Sequence, residues 1–168
     1  MKPEQKNLDQ KILTAFTGFT VKAIPWHPVM EVDLYLHGHE TGLRLHGEHI
    51  AAAYLWQGQY VLLTADSGVY ETGFSVYVLD SNLKVLDHAG AGWETSGEME
   101  GLQLVLPDRI LFRHPDPQWL WSIKLLEKPK WRLPLSFPGL SDPWPVMRLA
   151  GGRQKYFEIT RLERPPLR

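Results

Sequence analysis

From Val32 onward the apolar residues come in short runs rich in Val, Leu, Tyr and Trp, and turn-forming residues separate the runs. Runs of this length, enriched in β-branched and aromatic residues, read as strands. The expected strands are Val32–Leu36, Leu43–Leu45, Ile50–Trp56, Tyr60–Thr64, Phe74–Leu79, Leu83–Asp87, Leu102–Leu106, Ile110–Arg113, Trp119–Leu126 and Gln154–Leu162. Between them, Gln57-Gly58, Asp80-Ser81-Asn82, Pro107-Asp108 and Pro115-Asp116-Pro117 have the chemistry of tight turns. Gly accepts positive φ, Pro presets its own φ, and Asp or Asn can hydrogen-bond the backbone two residues on. Strands joined by such short turns neighbour one another, which predicts an antiparallel meander. Ser67–Gly73 and Ala89–Gly101 read as longer loops.

Both ends depart from this pattern. Leu8, Ile12, Leu13 and Phe16 recur at helical spacing behind Asn7, a good N-cap, so a short helix is expected within residues 1–18. Residues 128–146 hold Pro129, Pro134, Pro138, Pro143 and Pro145, interleaved with Trp131, Phe137 and Trp144. Proline lacks the ladder donor, so this stretch is expected to be an arm laid across the sheet, covering an edge with its aromatic rings. A final strand lies within 153–163. The expected fold is mostly β: strands over 32–126 form a sandwich or partly open barrel, with one N-terminal helix and a Pro/Trp-rich C-terminal arm. Tyr77–Leu86 resembles the outer hairpin of a β-propeller blade. Four blades of roughly 40 residues would exhaust the chain once its two ends are deducted, so the sandwich or barrel is preferred.

At 168 residues the chain reads as one domain, 1–168, because two would each bury too little surface. Apolar residues make up 43% and charged residues 22%, the balance of a folded globular protein rather than a disordered one. There is no cysteine, which removes disulfides, thiolate nucleophiles and sulfur-based zinc sites. Residues 1–10 are polar and no long apolar run follows, so neither a signal peptide nor a membrane span is expected, and the default compartment is the cytoplasm.

The net charge of −1 hides a segregation. Tyr60–Asp108 carries eight carboxylates against one cation, Lys84, whereas residues 109–168 carry twelve cations against five carboxylates. Opposite fields on one small body bear on partners and association rates. The basic third is too sparse, and the overall charge too close to neutral, for a dedicated nucleic-acid binder. A competing expectation is that the strand Gln154–Leu162 sits beside acidic strands, so that the charges meet within the sheet.

The constellations that could carry chemistry are few. His37, His39, His46 and His49 fall close together with Glu40 and Glu48, a ligand set suited to zinc, nickel or copper if a hairpin through Glu40–Gly42 brings them together. The spacing matches no dedicated motif. Glu94, Glu98 and Glu100 could be offered as an acid/base pair, but nothing positions the second carboxylate. The chain has no Gly-x-Ser-x-Gly nucleophile motif, and Gly90-Ala91-Gly92 lacks the following glycine of a phosphate loop. Trp56, Trp119 and Trp121 could form a stacking platform for a sugar or small ligand, although a sheet core would claim them equally.

The reading that follows is a protein-binding module without catalytic activity or cofactor. It would engage a basic protein partner through an acidic surface comprising Asp66, Tyr70, Glu71, Trp93, Glu94, Glu98 and Glu100. Tyr70 and Trp93 would serve as aromatic anchors. An inhibitor or immunity-type protein that neutralises a nuclease-like toxin is one role this physics suits. The alternatives are a metal protein using His37, His39, His46 and His49, and a small-ligand or carbohydrate module. A symmetric dimer, acidic face to basic face, is compatible with the charge pattern.

Overall fold

The computed structural model describes residues 11–24, 30–132 and 142–162, and every regular element among them is a strand. The strands are β1 (Thr14–Ala15), β2 (Phe19–Ala23), β3 (Glu31–Leu36), β4 (His39–His46), β5 (His49–Trp56), β6 (Gln59–Ser67) and β7 (Thr72–Leu79). They continue with β8 (Val85–Trp93), β9 (Glu100–Val105), β10 (Arg109–Arg113), β11 (Leu120–Trp131), β12 (Met147–Gly151) and β13 (Gln154–Leu162). All ten expected strands are present. The pairings are antiparallel and build three sheets: a six-stranded one in the order β1-β5-β6-β7-β8-β12, a four-stranded one in the order β13-β11-β10-β9, and a three-stranded one in the order β2-β3-β4.

The six-stranded sheet is the middle layer. Val61, Leu63, Phe74, Val76 and Val78 on one face pack with Ile110, Phe112, Trp121, Ile123, Phe157 and Ile159 of the four-stranded sheet. Leu62, Tyr77 and Leu79 on the other face pack with Phe19, Val32, Leu34 and Leu45 of the three-stranded sheet. This double burial explains why Val76–Leu79 of β7 form an apolar run: all eight residues of the strand are buried, so polar alternation is not imposed on it. Each fully buried aliphatic or aromatic side chain here contributes about 1.5–3 kcal/mol over its exposed state.

Turn chemistry sets the hairpins. Gln57 and Gly58 both have positive φ (49° and 75°), as a two-residue hairpin turn requires, and join β5 to β6 as expected. The Asp80 carboxylate accepts from the Asn82 and Lys84 amides, at 2.9 Å each, and shapes the β7–β8 turn. His37 and Gly38 form another positive-φ pair (50° and 82°) and close the β3–β4 hairpin between Leu36 and His39, ahead of the expected turn at Glu40–Gly42.

Three expectations are corrected. Residues 1–10 of the proposed helix lie outside the described residues, but from Lys11 the chain is not helical, and Thr14–Ala15 pair with Tyr54–Leu55 at the edge of the middle sheet. Leu13 joins one core and Phe16 packs against the other, a division that a strand permits because neighbouring side chains alternate in direction. The second correction concerns the arm. Lys128–Trp131 extend β11 beyond the end of β10; Lys130 and Trp131 pair with β13, and the register breaks between Leu125 and Lys130, where Pro129 needs no donor. Trp131 and Trp144 are exposed rather than laid on a sheet, and Phe137 lies outside the described residues. Third, Ala89–Trp93 belong to β8, paired with Thr72–Val76, and Glu100 and Gly101 begin β9, so only residues 94–99 of the expected loop are irregular.

The arm's end caps an edge in another way. Arg148 of β12 is buried and its guanidinium spans three elements. It donates to Asp87 of β8 (2.6 Å), to both carboxylate oxygens of Asp142 (2.9 and 3.0 Å) and to the Phe157 carbonyl of β13 (2.8 Å). Asp87 also accepts from the Tyr156 amide, and the guanidinium lies over the Phe157 ring. This buried cluster pins β12 and the turn before it to the rest of the fold. It also accounts for part of the charge segregation, because Arg148 and Asp87 answer each other internally. Strand β13 pairs with β11 rather than with an acidic strand, and Lys130 and Lys155 both meet Glu158 there.

Candidate functional site

Glycines set the floor of a concavity on the middle sheet. On the face of the middle sheet that the three-stranded sheet covers, the ladder aligns side chains in rows. Leu62, Tyr77 and His88 form one row; Thr64, Ser75, Gly90 and Met147 the next; Asp66, Gly73 and Gly92 the third. The covering layer stops at the first row. His46, the last residue of β4, stacks on His88 (5.7 Å), which stacks on Tyr77 (3.9 Å). The His46 amide donates to the Tyr77 hydroxyl (2.7 Å), and Thr64 Oγ1 donates to the His46 carbonyl. Immediately after His46, Gly47 turns the chain away against Thr64 with φ of 122°, where a Cβ would meet the Thr64 side chain at 2.8 Å. Beyond Thr64, which His46 and Gly47 cover, Ser75, Gly90 and Met147 of the second row and Asp66, Gly73 and Gly92 of the third line a concavity.

The result is a cleft of about 870 Å³, open to solvent. Its floor contains Gly73, Ser75, Gly90 and Gly92; Met30 and His46 stand on one side, and Trp144, Pro145 and Met147 on the other. Asp66, Glu71 and Glu94 also line it, and among the described residues no Lys or Arg does. Trp144 is 66% exposed, Met30 51% and Met147 45%, so the walls present large apolar groups to whatever enters. The Trp144 wall follows directly from the residue clamped by Arg148, since Asp142 and the Val146–Pro143 hydrogen bond bracket it.

Asp66 is the chemically distinctive group. Its Oδ1 is buried and has no hydrogen-bond partner among the described residues. Its Oδ2 lies 3.4 Å from where a Cβ on Gly73 would stand, which places the carboxylate over the glycine floor. Burial, reinforced by the nearby charge of Glu48, raises its pKa above the ordinary carboxylate value. Glu48 itself accepts from the Ser67 amide and hydroxyl, which ties it to the same strand end.

Of the seven residues expected in the acidic surface, Asp66, Glu71, Trp93 and Glu94 line this cleft. The Trp93 ring sits within an inner aromatic cluster, 5.9 Å from Phe74 and from Trp121, 5.4 Å from His114 and 6.0 Å from Trp119. Tyr70 is 85% exposed at the tip of the β6–β7 loop. Glu98 and Glu100 are exposed but lie away from the cleft, with Glu100 beginning β9 opposite Arg113.

The histidine cluster does not assemble. His37 sits in the β3–β4 turn against the Phe16 ring, whereas His39 and His46 occupy opposite ends of β4, roughly 23 Å apart at strand rise. His49 opens β5 opposite Ala65. Among the described residues, no three of His, Cys, Asp or Glu converge as metal ligands would. The hairpin turning at His37-Gly38 is the physical reason. The tryptophan platform is likewise dissolved into the core, where Trp56 and Trp121 are buried.

The sequence reading missed two buried histidines. His88 is sandwiched between Tyr77 and His46, and burial, with a smaller effect from His46, lowers its pKa to about 3. His114 contacts the Thr72 hydroxyl (3.1 Å), and burial lowers its pKa to about 4 against a raising effect of the Glu98 backbone. Both are neutral in the fold, while an unfolded histidine takes up a proton below about pH 6.5. The unfolded state therefore binds more protons as pH falls from 6.5 toward 3–4, and stability should drop by up to about 1.4 kcal/mol per pH unit for each histidine. Replacing His88 by Phe, which keeps a ring against Tyr77, should flatten that fall when urea unfolding is followed from pH 7 to 4. An unchanged slope would show that His88 does not contribute.

Among the described residues, no helix is long and apolar enough to cross a membrane. Comparisons with protein-family models, with curated proteins and with solved structures find no match for this chain.

Proposed function

We propose that the protein is a non-enzymatic binding module that captures a basic protein partner at the glycine-floored cleft and the acidic loops beside it. The supporting observation is the one-sided chemistry of the cleft: three carboxylates, Asp66, Glu71 and Glu94, among its lining residues, with no Lys or Arg among the described ones. A cation entering there would engage the partly desolvated carboxylate of Asp66, whose Oδ1 has no hydrogen-bond partner among the described residues, and the exposed Trp144 and Met side chains would supply apolar contact. Charge on the rim would accelerate encounter, and the walls would slow release. Neutralising a basic toxin of the nuclease type is one biological role compatible with this physics.

The test uses a triple variant, Asp66→Asn, Glu71→Gln and Glu94→Gln, which leaves side-chain size nearly unchanged. Immobilised wild-type protein should retain basic proteins from its source lysate at low salt and release them at high salt, and the triple variant should retain them poorly. With a purified partner, the association rate should fall about tenfold or more in the variant and lose most of its salt dependence. Equal retention and equal rates for the two proteins would refute the reading.

A further inference from the structure

Resting on that binding reading, we infer that the group seated in the cleft is the guanidinium of a partner arginine rather than a lysine ammonium. The argument starts from shape. Gly73, Gly90 and Gly92 leave three positions on two adjacent strands without a side chain on this face, with only the small Ser75 side chain between them, and strands lie about 4.8 Å apart, so the floor is low over the width of a planar group. An ammonium gains nothing from that width. A guanidinium is planar, weakly hydrated and able to lie against backbone and ring faces alike.

The polar side chains on that floor can accept hydrogen bonds. The Asp66 carboxylate lies over Gly73, with one oxygen unpartnered among the described residues, and the Ser75 hydroxyl lies 2.7 Å from where a Gly90 Cβ would be. A guanidinium offers five N–H donors in a fixed fork and can engage a carboxylate through two of them at once. The cleft wall adds the exposed ring of Trp144, the best aromatic partner for a stacked cation. Met30 and Met147 offer adaptable apolar surface for the aliphatic stem.

Gly92 provides a probe that the fold tolerates. A Cβ there would meet only the Thr72 carbonyl, at 3.7 Å, an ordinary contact, so Gly92→Ala adds a methyl group to the floor without disturbing the strand. By contrast, a Cβ on Gly73 would come within 2.8 Å of the Ala91 carbonyl, and that variant would confuse binding with folding.

The experiment is a low-salt calorimetric titration with two capped peptides of equal charge, acetyl-Gly-Arg-Arg-Gly-amide and acetyl-Gly-Lys-Lys-Gly-amide. It is run against wild-type protein and against Asp66→Asn, Trp144→Ala and Gly92→Ala. The wild type should bind the arginine peptide about tenfold or more tightly than the lysine peptide. Asp66→Asn and Trp144→Ala should each abolish most of that preference, and Gly92→Ala should weaken arginine binding more than lysine binding. Equal affinity for both peptides, lost in the Asp66/Glu71/Glu94 triple variant, would overturn the guanidinium assignment and leave the acidic-cleft reading intact. An arginine preference unchanged in Asp66→Asn and Trp144→Ala would place the arginine elsewhere and overturn the inference. Binding of neither peptide would overturn the inference, and absence of partner capture as well would remove the reading beneath it.

Discussion

Replacing Arg148 by methionine is expected to lower the unfolding free energy by about 3–5 kcal/mol, because it takes the guanidinium away from the Asp87 and Asp142 carboxylates in a buried site. The hydrogen bond to the Phe157 carbonyl is lost as well, so the junction of β12, β8 and β13 loosens. Urea unfolding monitored by tryptophan fluorescence would read the change as a shifted midpoint. A companion variant separates the penalty for unpaired charge from the worth of the cluster. Arg148→Met combined with Asp87→Leu and Asp142→Leu removes all three charges and should recover most of the loss, since apolar replacement of a whole buried ion cluster is often neutral or stabilising. If Arg148→Met alone unfolds at the wild-type midpoint, the cluster is not holding the sheets together.

Trp121→Ala should be comparably damaging, at about 3–5 kcal/mol. Trp121 is fully buried, its ring lies 5.3 Å from Phe74 and 5.9 Å from Trp93, and its Nε1 donates to the His114 carbonyl at 2.6 Å. Truncation leaves a large void between the middle and four-stranded sheets and an unsatisfied carbonyl in it. The contrast is Trp144→Ala, which should change stability by less than about 0.5 kcal/mol, because that ring is mostly exposed at the cleft wall. Denaturation midpoints for the two variants would test the division between a tryptophan that holds the fold and one exposed at the cleft wall. Similar losses for both would contradict it.

Strand positions were readable because β propensity and turn chemistry agree along most of the chain. The sequence was misleading where one pattern admits two geometries. Leu13 and Phe16 sit at helical spacing, yet the same pair serves a strand whose two faces meet different cores. Ala89-Gly90-Ala91-Gly92 looks like a loop because glycine is depleted from strands, but here its lack of a side chain creates the concave floor. The short strands β1, β2 and β12 carry too few residues, or too mixed a pattern, to register. At the site, acidic clustering pointed to Asp66, Glu71 and Glu94, while the exposed role of Trp144 and the clamp of Arg148 depend on contacts distant in sequence. Arg148 meets Asp87 across the sheet, a pairing that no local spacing encodes. The histidines failed for the opposite reason: nearness along the chain was taken for nearness in space, and an extended strand separates its own ends.

The order in which the middle sheet is completed has a consequence for synthesis. Its last strand, β12, arrives only after the whole β9–β10–β11 segment has been made. Until then the outer edge of β8 offers unpaired backbone groups, and Asp87 waits without its guanidinium. A growing chain at that stage has a sheet edge able to recruit a strand from a neighbouring molecule, and its final segment competes with such intruders for the position. Rapid delivery of Met147–Gly151 to that edge, with Arg148 to lock it, is therefore a safeguard against misassembly on the ribosome as well as a contribution to the finished fold.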